Sequence, residues 1–210
     1  MEGLIKRVLD VLVSSLVLLF FSPALAVLAI AIRLDSRGSI LFTPKRLGLH
    51  GRQFTMFKFR TMFKDARPVR NPDGSFHIAQ GDPRVTRVGR WLREYSLDEV
   101  PQLWNVLRGE MSLVGPRPDE ASALAFYDDV FRAKLGAKPG LTSLPAVRGR
   151  NLLPWRTRAK LDRYYVQHQS LLLDLKIILL TVPIVFKRQG IYTTPRTPAS
   201  ISANDIKGEI

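Results

Sequence analysis

Asp98 and Glu99 stand side by side within REYSLDEVPQLWN, in a strongly basic neighbourhood. Two adjacent carboxylates can supply a nucleophile and an acid–base partner, or donors to a divalent cation. They cannot form one symmetrical clamp, because neighbouring helical positions point about 100° apart. The plainer reading is a helix start, where acidic side chains simply complement the dipole. Ser96 and Glu99 have capping-box spacing, but a helix begun at Ser96 carries Pro101 too deep for its missing N–H to be harmless. A start nearer Asp98 removes that conflict. Either start leaves both carboxylates in or beside a first turn, where exposed N–H groups attract phosphate.

Arginines surround the pair. Arg84, Arg87, Arg90 and Arg93 recur every three residues before it, and Arg108 and Arg117 follow. Such a row is ordinarily a solvated helix face. Arg117 differs: in GPRP it lies between two prolines, which push it toward extended geometry and stiffen its guanidinium for bidentate phosphate capture. Phosphate-loop, dinucleotide-fold and nucleophile-elbow signatures are absent. There is no cysteine, which excludes thiolate chemistry, and His50, His77 and His168 lie too far apart for metal-ligand spacing.

The elements that must position these groups are short. RQFTMFKFR alternates as a strand, with Phe54, Met56 and Phe59 inward and Lys58 and Arg60 near its end. Residues 63 to 82 read as a loop. Asp82 is the expected N-cap of a first helix, with Pro83 at its first position, and Gly89 and Pro101 divide the following tract into two helices. MSLVGPRPDE is turn-like, DEASALAFYDDVFRAKL helical, and GAKPGLTSLPAVRGRN a loop. Trp155 to Lys187 is a helical tract broken near Pro183. Asp174 and Lys176 interrupt its apolar part, each costing about 2.5–3.5 kcal/mol at a bilayer centre, which favours an interfacial or core helix over a span.

The amino-terminal run is different. From Val11 to Ile32 no residue is charged, and a helix of that length reaches roughly 33 Å, about one hydrocarbon core. Lys6 and Arg7 precede it, and Arg33, Arg37, Lys45 and Arg46 follow, so both flanks look cytoplasmic. Ser22-Pro23 breaks its middle. A kinked helix that enters one leaflet and returns explains the break and both flanks together. A kinked span is the alternative. A signal peptide is the third reading, but the apolar run continues past Ala24-Leu25-Ala26 to Ile32 and Asp10 lies at its near edge.

The chain has 210 residues, 46% of them hydrophobic, and a formal net charge of +14. That suits one domain with appendages and an anionic partner: nucleic acid, an anionic membrane face or phosphorylated small molecules. No nucleic-acid motif or aromatic stacking series accompanies the charge, so nucleic acid is not the expected partner. A scaffold, with the carboxylate pair as a simple cap, is a further reading.

Five motifs in order resemble the bacterial sugar transferases, more specifically the small monotopic polyprenyl-phosphate phosphoglycosyl transferases. They are KRVLDVLVSSLVLLFFSPALAVLAIAIRLDSRG, FTMFKFRTM, DPRVTRVGRWLREYSLDEVPQLWNVLRGEMSLVGPRP, KPGLTS and LDRYYVQHQSLLLDLKIILLTV, together covering about residues 4 to 192. The resemblance implies an α+β, mainly helical fold with little sheet. It divides into a re-entrant helix-break-helix over 1–37, a membrane-surface catalytic domain with interfacial amphipathic helices over 38–192, and a flexible tail over 193–210. It implies transfer of a sugar phosphate from a UDP-sugar to polyprenyl phosphate, releasing UMP, on the cytoplasmic face of the bacterial inner membrane among its lipids. Asp98 matches the family nucleophile and would also hold Mg²⁺; Glu99 matches the dyad's second member. Arg93, Arg117 and Arg150, with Lys58 and Arg60, are the candidate phosphate ligands, and Ser22-Pro23 matches the membrane break. The oligomeric state stays open, a homodimer included. One departure is KPGLTSLPAVRGRN where KPGITG is expected: Ser143 replaces a glycine, which bears on local loop geometry.

Overall fold

The computed structural model describes residues 2–70, 77–188 and 190–192. The expected tail over 193–210 lies outside the described residues, as does part of the loop at 71–76. The fold is mainly helical: α1 (Glu2–Asp35), α2 (Arg87–Glu94), α3 (Gln102–Leu107), α4 (Asp129–Ala133), α5 (Leu144–Arg148), α6 (Trp155–Gln167) and α7 (Leu171–Phe186). Sheet is limited to two-stranded ladders. β1 (Leu41–Phe42) pairs antiparallel with β4 (Lys58–Phe59), β2 (Lys45–Leu47) antiparallel with β3 (Gln53–Thr55), and β5 (Ser112–Val114) parallel with β6 (Gly140–Thr142).

α1 is one helix of 34 residues, so the expected helix-break-helix is corrected: helical structure continues through Ser22-Pro23. Pro23 has no N–H for the carbonyl of Leu19, four residues back. The Ser22 hydroxyl donates to that carbonyl at 2.8 Å, so the orphaned acceptor is satisfied and the helix persists. Leu19 to Ala24 are all exposed, more than a full turn of the helix.

Both ends of α1 are fastened to the same body. Near its start, Lys6 Nζ lies 2.5 Å from Asp174 Oδ2 on α7 and donates to the Val114 carbonyl at 3.1 Å. The Arg7 guanidinium donates to the carbonyls of Val106 and Leu107 at the end of α3, and buried Asp10 accepts from Ser112 Oγ and Leu113 N. Near its end, buried Ile32 packs with Phe59 and Leu92, flanked by Leu25, Leu28 and Ala29. Asp35 accepts from Val88 N at 2.9 Å, in the first turn of α2.

The inward strand residues are as expected: Phe54, Met56 and Phe59 are all buried, the first two with Val106 and Met111. Val114, Leu144, Leu161, Tyr165 and Ile177 form a further cluster at α6 and α7, and Leu47, Tyr127, Phe131 and Ala159 another.

Elsewhere local side chains moved the expected boundaries. Thr86, not Asp82, caps α2, its hydroxyl accepting from Gly89 N at 2.9 Å. Asp82 is occupied by Arg84, whose Nη2 lies 2.5 Å from Oδ2. The tract after Asp119 is helical only in pieces, because the Asp128 carboxylate restarts the helix by capping Val130 and Phe131. The carboxy-terminal tract breaks at His168–Ser170 instead of Pro183: the Ser170 hydroxyl caps α7 at Leu173 N, and Pro183 sits within α7's last turn.

Candidate active site

The carboxylate pair sits on a 3₁₀ turn, Leu97–Glu99, and not in the first turn of an α-helix. Ser96 precedes it in the left-handed region, at φ 56°, and its hydroxyl does not cap the turn. α3 starts only at Gln102, with Pro101 at its N-cap, where the missing N–H costs nothing. The helix-dipole argument is therefore weaker than the sequence suggested. Side chains hold the charge instead.

Lys58 bridges the pair. Its ammonium lies 2.7 Å from Asp98 Oδ2 and 3.2 Å from Glu99 Oε1. Asn105, fully buried on α3, fixes the strand that carries Lys58: its Oδ1 accepts from Phe57 N at 2.9 Å, and its Nδ2 donates to the Thr55 carbonyl at 2.7 Å and to Glu110 Oε2 at 2.7 Å. From the other side the Arg117 fork grips Glu99, with Nη2 to Oε1 at 2.7 Å and Nη1 to Oε2 at 3.5 Å. Arg150 Nη2 donates to Ser96 Oγ at 2.8 Å.

Arg117 is aimed by backbone pairing between two motif loops. Gly115 N donates to the Thr142 carbonyl and Gly140 N to the Pro116 carbonyl, extending the β5–β6 ladder into GPRP and KPG. A Cβ on Gly140 would stand 2.0 Å from Gly115 N, so only glycine allows this approach. The departure at Ser143 is absorbed locally: its hydroxyl caps α5 at Ala146 N, 3.2 Å away.

The electrostatics follow from these contacts. Burial by itself would raise the Glu99 pKa, but the Arg117 guanidinium, then Lys58, the Arg117 hydrogen bond and Arg150 outweigh it and hold the carboxyl well below its ordinary range. Reciprocally, Glu99 holds Arg117 firmly protonated. Burial lowers the pKa of Arg93, opposed by the charges of Asp98 and Tyr192; its Nε donates to Thr61 Oγ1 at 2.7 Å.

Of the sequence candidates, the structure brings Lys58, Asp98, Glu99 and Arg117 into direct contact, and sets Arg150 beside them through Ser96. Arg93 is an electrostatic neighbour of Asp98. Arg60 is elsewhere. Its buried guanidinium is spent on the carbonyls of Ser39, Arg37, Ser36 and Ile32 and closes the carboxy-terminal end of α1. It makes no contact with the carboxylates, and its role is to fasten α1. Thr61 and Asn105 carry no sequence signal, and Ser96 stands out in the sequence only as a helix cap, a role it does not play. A lone hydroxyl or amide carries no local pattern; only the fold shows what it touches.

A cavity of about 410 Å³ opens beside the pair. Ser96, Glu99, Arg117 and Arg150 form its polar wall, while Val13 and Val17 of α1 and Ile178, Val182 and Val185 of α7 form an apolar one. Asp98 is only 3% exposed, is paired with Lys58, and does not itself line the cavity.

For a divalent cation, the donor set is the pair itself: no group of three or more His, Cys, Asp or Glu is gathered for a metal among the described residues. Asp98 Oδ1 has no protein partner among the described residues, since the ion pair falls on Oδ2. One or two carboxylates completed by substrate phosphates is how Mg²⁺ is ordinarily held, so the residues fit a substrate-borne ion.

An arginine-gripped carboxylate pair, with Glu99 in the polar wall of a cavity whose other wall comes from an apolar helix long enough to enter a membrane, points to a membrane-associated protein. The family model for bacterial sugar transferases matches residues 1–188. The chain belongs to that family and is a transferase. It is 41% identical over 201 residues to the exopolysaccharide production protein ExoY of Rhizobium meliloti, covering 90% of this chain and 89% of that one. It is 44% identical over 197 residues to the UDP-glucose:undecaprenyl-phosphate glucose-1-phosphate transferase of Caulobacter vibrioides, covering 89% and 72%. Over 188 residues it is 43% identical to the undecaprenyl-phosphate glucose phosphotransferase of Komagataeibacter xylinus, covering 84% of this chain and 35% of that relative.

Proposed function

We propose that this protein transfers a sugar phosphate from a UDP-sugar to undecaprenyl or a related polyprenyl phosphate, as the first membrane step of a glycan's assembly. The names of the Caulobacter and Komagataeibacter relatives support both substrates, and ExoY supports an exopolysaccharide setting. The observation that carries the reading is the two-walled cavity: Arg117, Arg150 and Glu99, the neighbour of Asp98, on one side, residues of α1 and α7 on the other. A polyprenyl phosphate needs that combination.

In this reading Asp98 Oδ1 attacks the phosphorus that bears the sugar. The bond to the bridging diphosphate oxygen breaks, its electron pair stays on that oxygen, and UMP leaves. A polyprenyl phosphate oxygen then attacks the same phosphorus and displaces the Asp98 carboxylate, giving polyprenyl diphosphate sugar. Two displacements let a soluble and a lipid substrate use one site in turn. Lys58 moves from Asp98 to the phosphate as substrate enters, freeing the nucleophile. Arg117 and Arg150 offset the diphosphate charge, and Glu99, kept ionised, orients Arg117. Asp98, together with the diphosphate, would hold Mg²⁺, which when bound would supply further charge neutralisation.

The membrane path of α1 belongs to the same proposal. Its two ends bind one body, and the turn around Ser22-Pro23 stands clear of it. That arrangement supports a re-entrant helix whose apex enters the inner leaflet of the bacterial inner membrane, with the catalytic body on the cytoplasmic face. Purified protein in nanodiscs with Mg²⁺ should release UMP from the right UDP-sugar and gain the mass of a phosphosugar. Asp98→Asn should abolish both; normal turnover by that variant would remove Asp98 as the nucleophile.

A further inference from the structure

The described residues after α7 pack against residues that line the cavity. Arg188 adopts φ 53° and Gly190 φ 65°, which turns the chain sharply at the helix end. The Arg188 guanidinium then lies 4.3 Å over the Tyr95 ring, donates to the Tyr95 hydroxyl, and pairs with Glu94 Oε2 at 3.2 Å. Two residues on, the Gly190 carbonyl accepts from Asn151 N at 3.3 Å, and the Ile191 carbonyl from Asn151 Nδ2 at 2.8 Å. Gly190 itself is pressed against the Arg150 turn. A Cβ there would stand 2.9 Å from the Gly149 carbonyl and 3.0 Å from Arg150 Cβ.

Tyr95, Arg150 and Asn151 all line the cavity. Arg150 needs outside support, because it is a non-glycine residue at φ 52°, a left-handed conformation that persists only where its surroundings enforce it. Its reach to Ser96 Oγ joins it to the turn carrying the carboxylates, one residue past Tyr95. The segment thus touches both sides of that link: Tyr95 before Ser96, and the backbone at Arg150.

We propose that Arg188 and Gly190 are positioning residues: Arg188, with Gly190 and Ile191, forms a clasp that fixes Arg150 and the Tyr95–Ser96 edge for binding the donor's diphosphate. This rests on the reading of the cavity as a diphosphate site. The clasp touches the Arg150 side of the wall and leaves the Arg117 fork, held by the β5–β6 ladder, untouched.

The test uses the full chain in detergent and calorimetric titration with UDP in the presence of Mg²⁺, with inorganic pyrophosphate as the probe without a base. Arg188→Ala should weaken UDP binding about tenfold in an otherwise native chain, and not further in an Arg150→Ala background, since contacts that act through one another are not additive. Arg188→Lys, which keeps the charge beside Glu94 and the Tyr95 ring, should restore part of the affinity. Gly190→Val should match Arg188→Ala if it folds; Arg188 is a half-exposed side chain, so its removal keeps the question answerable if it does not. Unchanged affinity in Arg188→Ala, or equal losses in both backgrounds, would overturn the clasp alone. Binding of neither UDP nor pyrophosphate by the native chain would overturn the diphosphate reading and the clasp with it.

Discussion

At the scale of residues, the structure divides the carboxylate pair into unequal members. Glu99 is gripped by the Arg117 fork, and both carboxylates share Lys58. Arg117→Lys keeps the charge but loses the two-pronged grip, so kcat/KM for the donor should fall about tenfold or more in a UMP-release assay. Lys58→Met should cost more, because it leaves two adjacent carboxylates without their shared cation. The depressed Glu99 pKa also has a pH consequence. A carboxylate whose pKa is lowered by folding contributes stability above its unfolded value, near 4.3, and loses it as pH falls toward the folded value. The stability difference between native protein and Glu99→Gln should therefore stay level from pH 8 to about pH 5 and shrink below roughly pH 4.3, followed by chemical denaturation.

At the scale of elements, α1 and α7 are locked through buried charge. Asp174 looked expensive in an apolar helix because sequence cannot show its partners. In the fold it accepts from the Tyr165 hydroxyl at 2.6 Å and pairs with Lys6 across 168 positions of chain. Removing one member strands the other, so Asp174→Ala should destabilise by about 3–5 kcal/mol. Replacing both, as Lys6→Met with Asp174→Leu, should recover most of that loss. Thermal unfolding in detergent reads both outcomes. Arg60 teaches the converse lesson. Two positions from Lys58, Arg60 would share its face in a continued strand, but β4 ends at Phe59. The strand's turn away from the site leaves Arg60 at α1's last carbonyls.

At the scale of the whole molecule, the governing feature is that both ends of one helix are fastened to the same body. The chain has no cysteine, so single cysteines at Leu4 and Ser39 report topology cleanly. In inverted and right-side-out vesicles both should react with an impermeant reagent from the cytoplasmic face only. Reaction of one of them from the opposite face would mean that α1 spans the membrane, and the re-entrant reading would fall while the site chemistry stood.

The sequence by itself determined the family, the apolar amino-terminal helix, the inward strand residues and the adjacency of the two candidate carboxylates. Those signals are local: an uncharged run, alternation with period two, and motifs whose residues adjoin in the chain. Only the tertiary structure decided which cations meet the carboxylates. Lys58, Arg117 and Arg150 arrive from a strand, a proline-flanked loop and a 3₁₀ turn that are distant in sequence, while Arg60, two positions from Lys58, does not arrive at all. Charge acts through space over a few ångströms, and chain position says little about such distances until packing has set them.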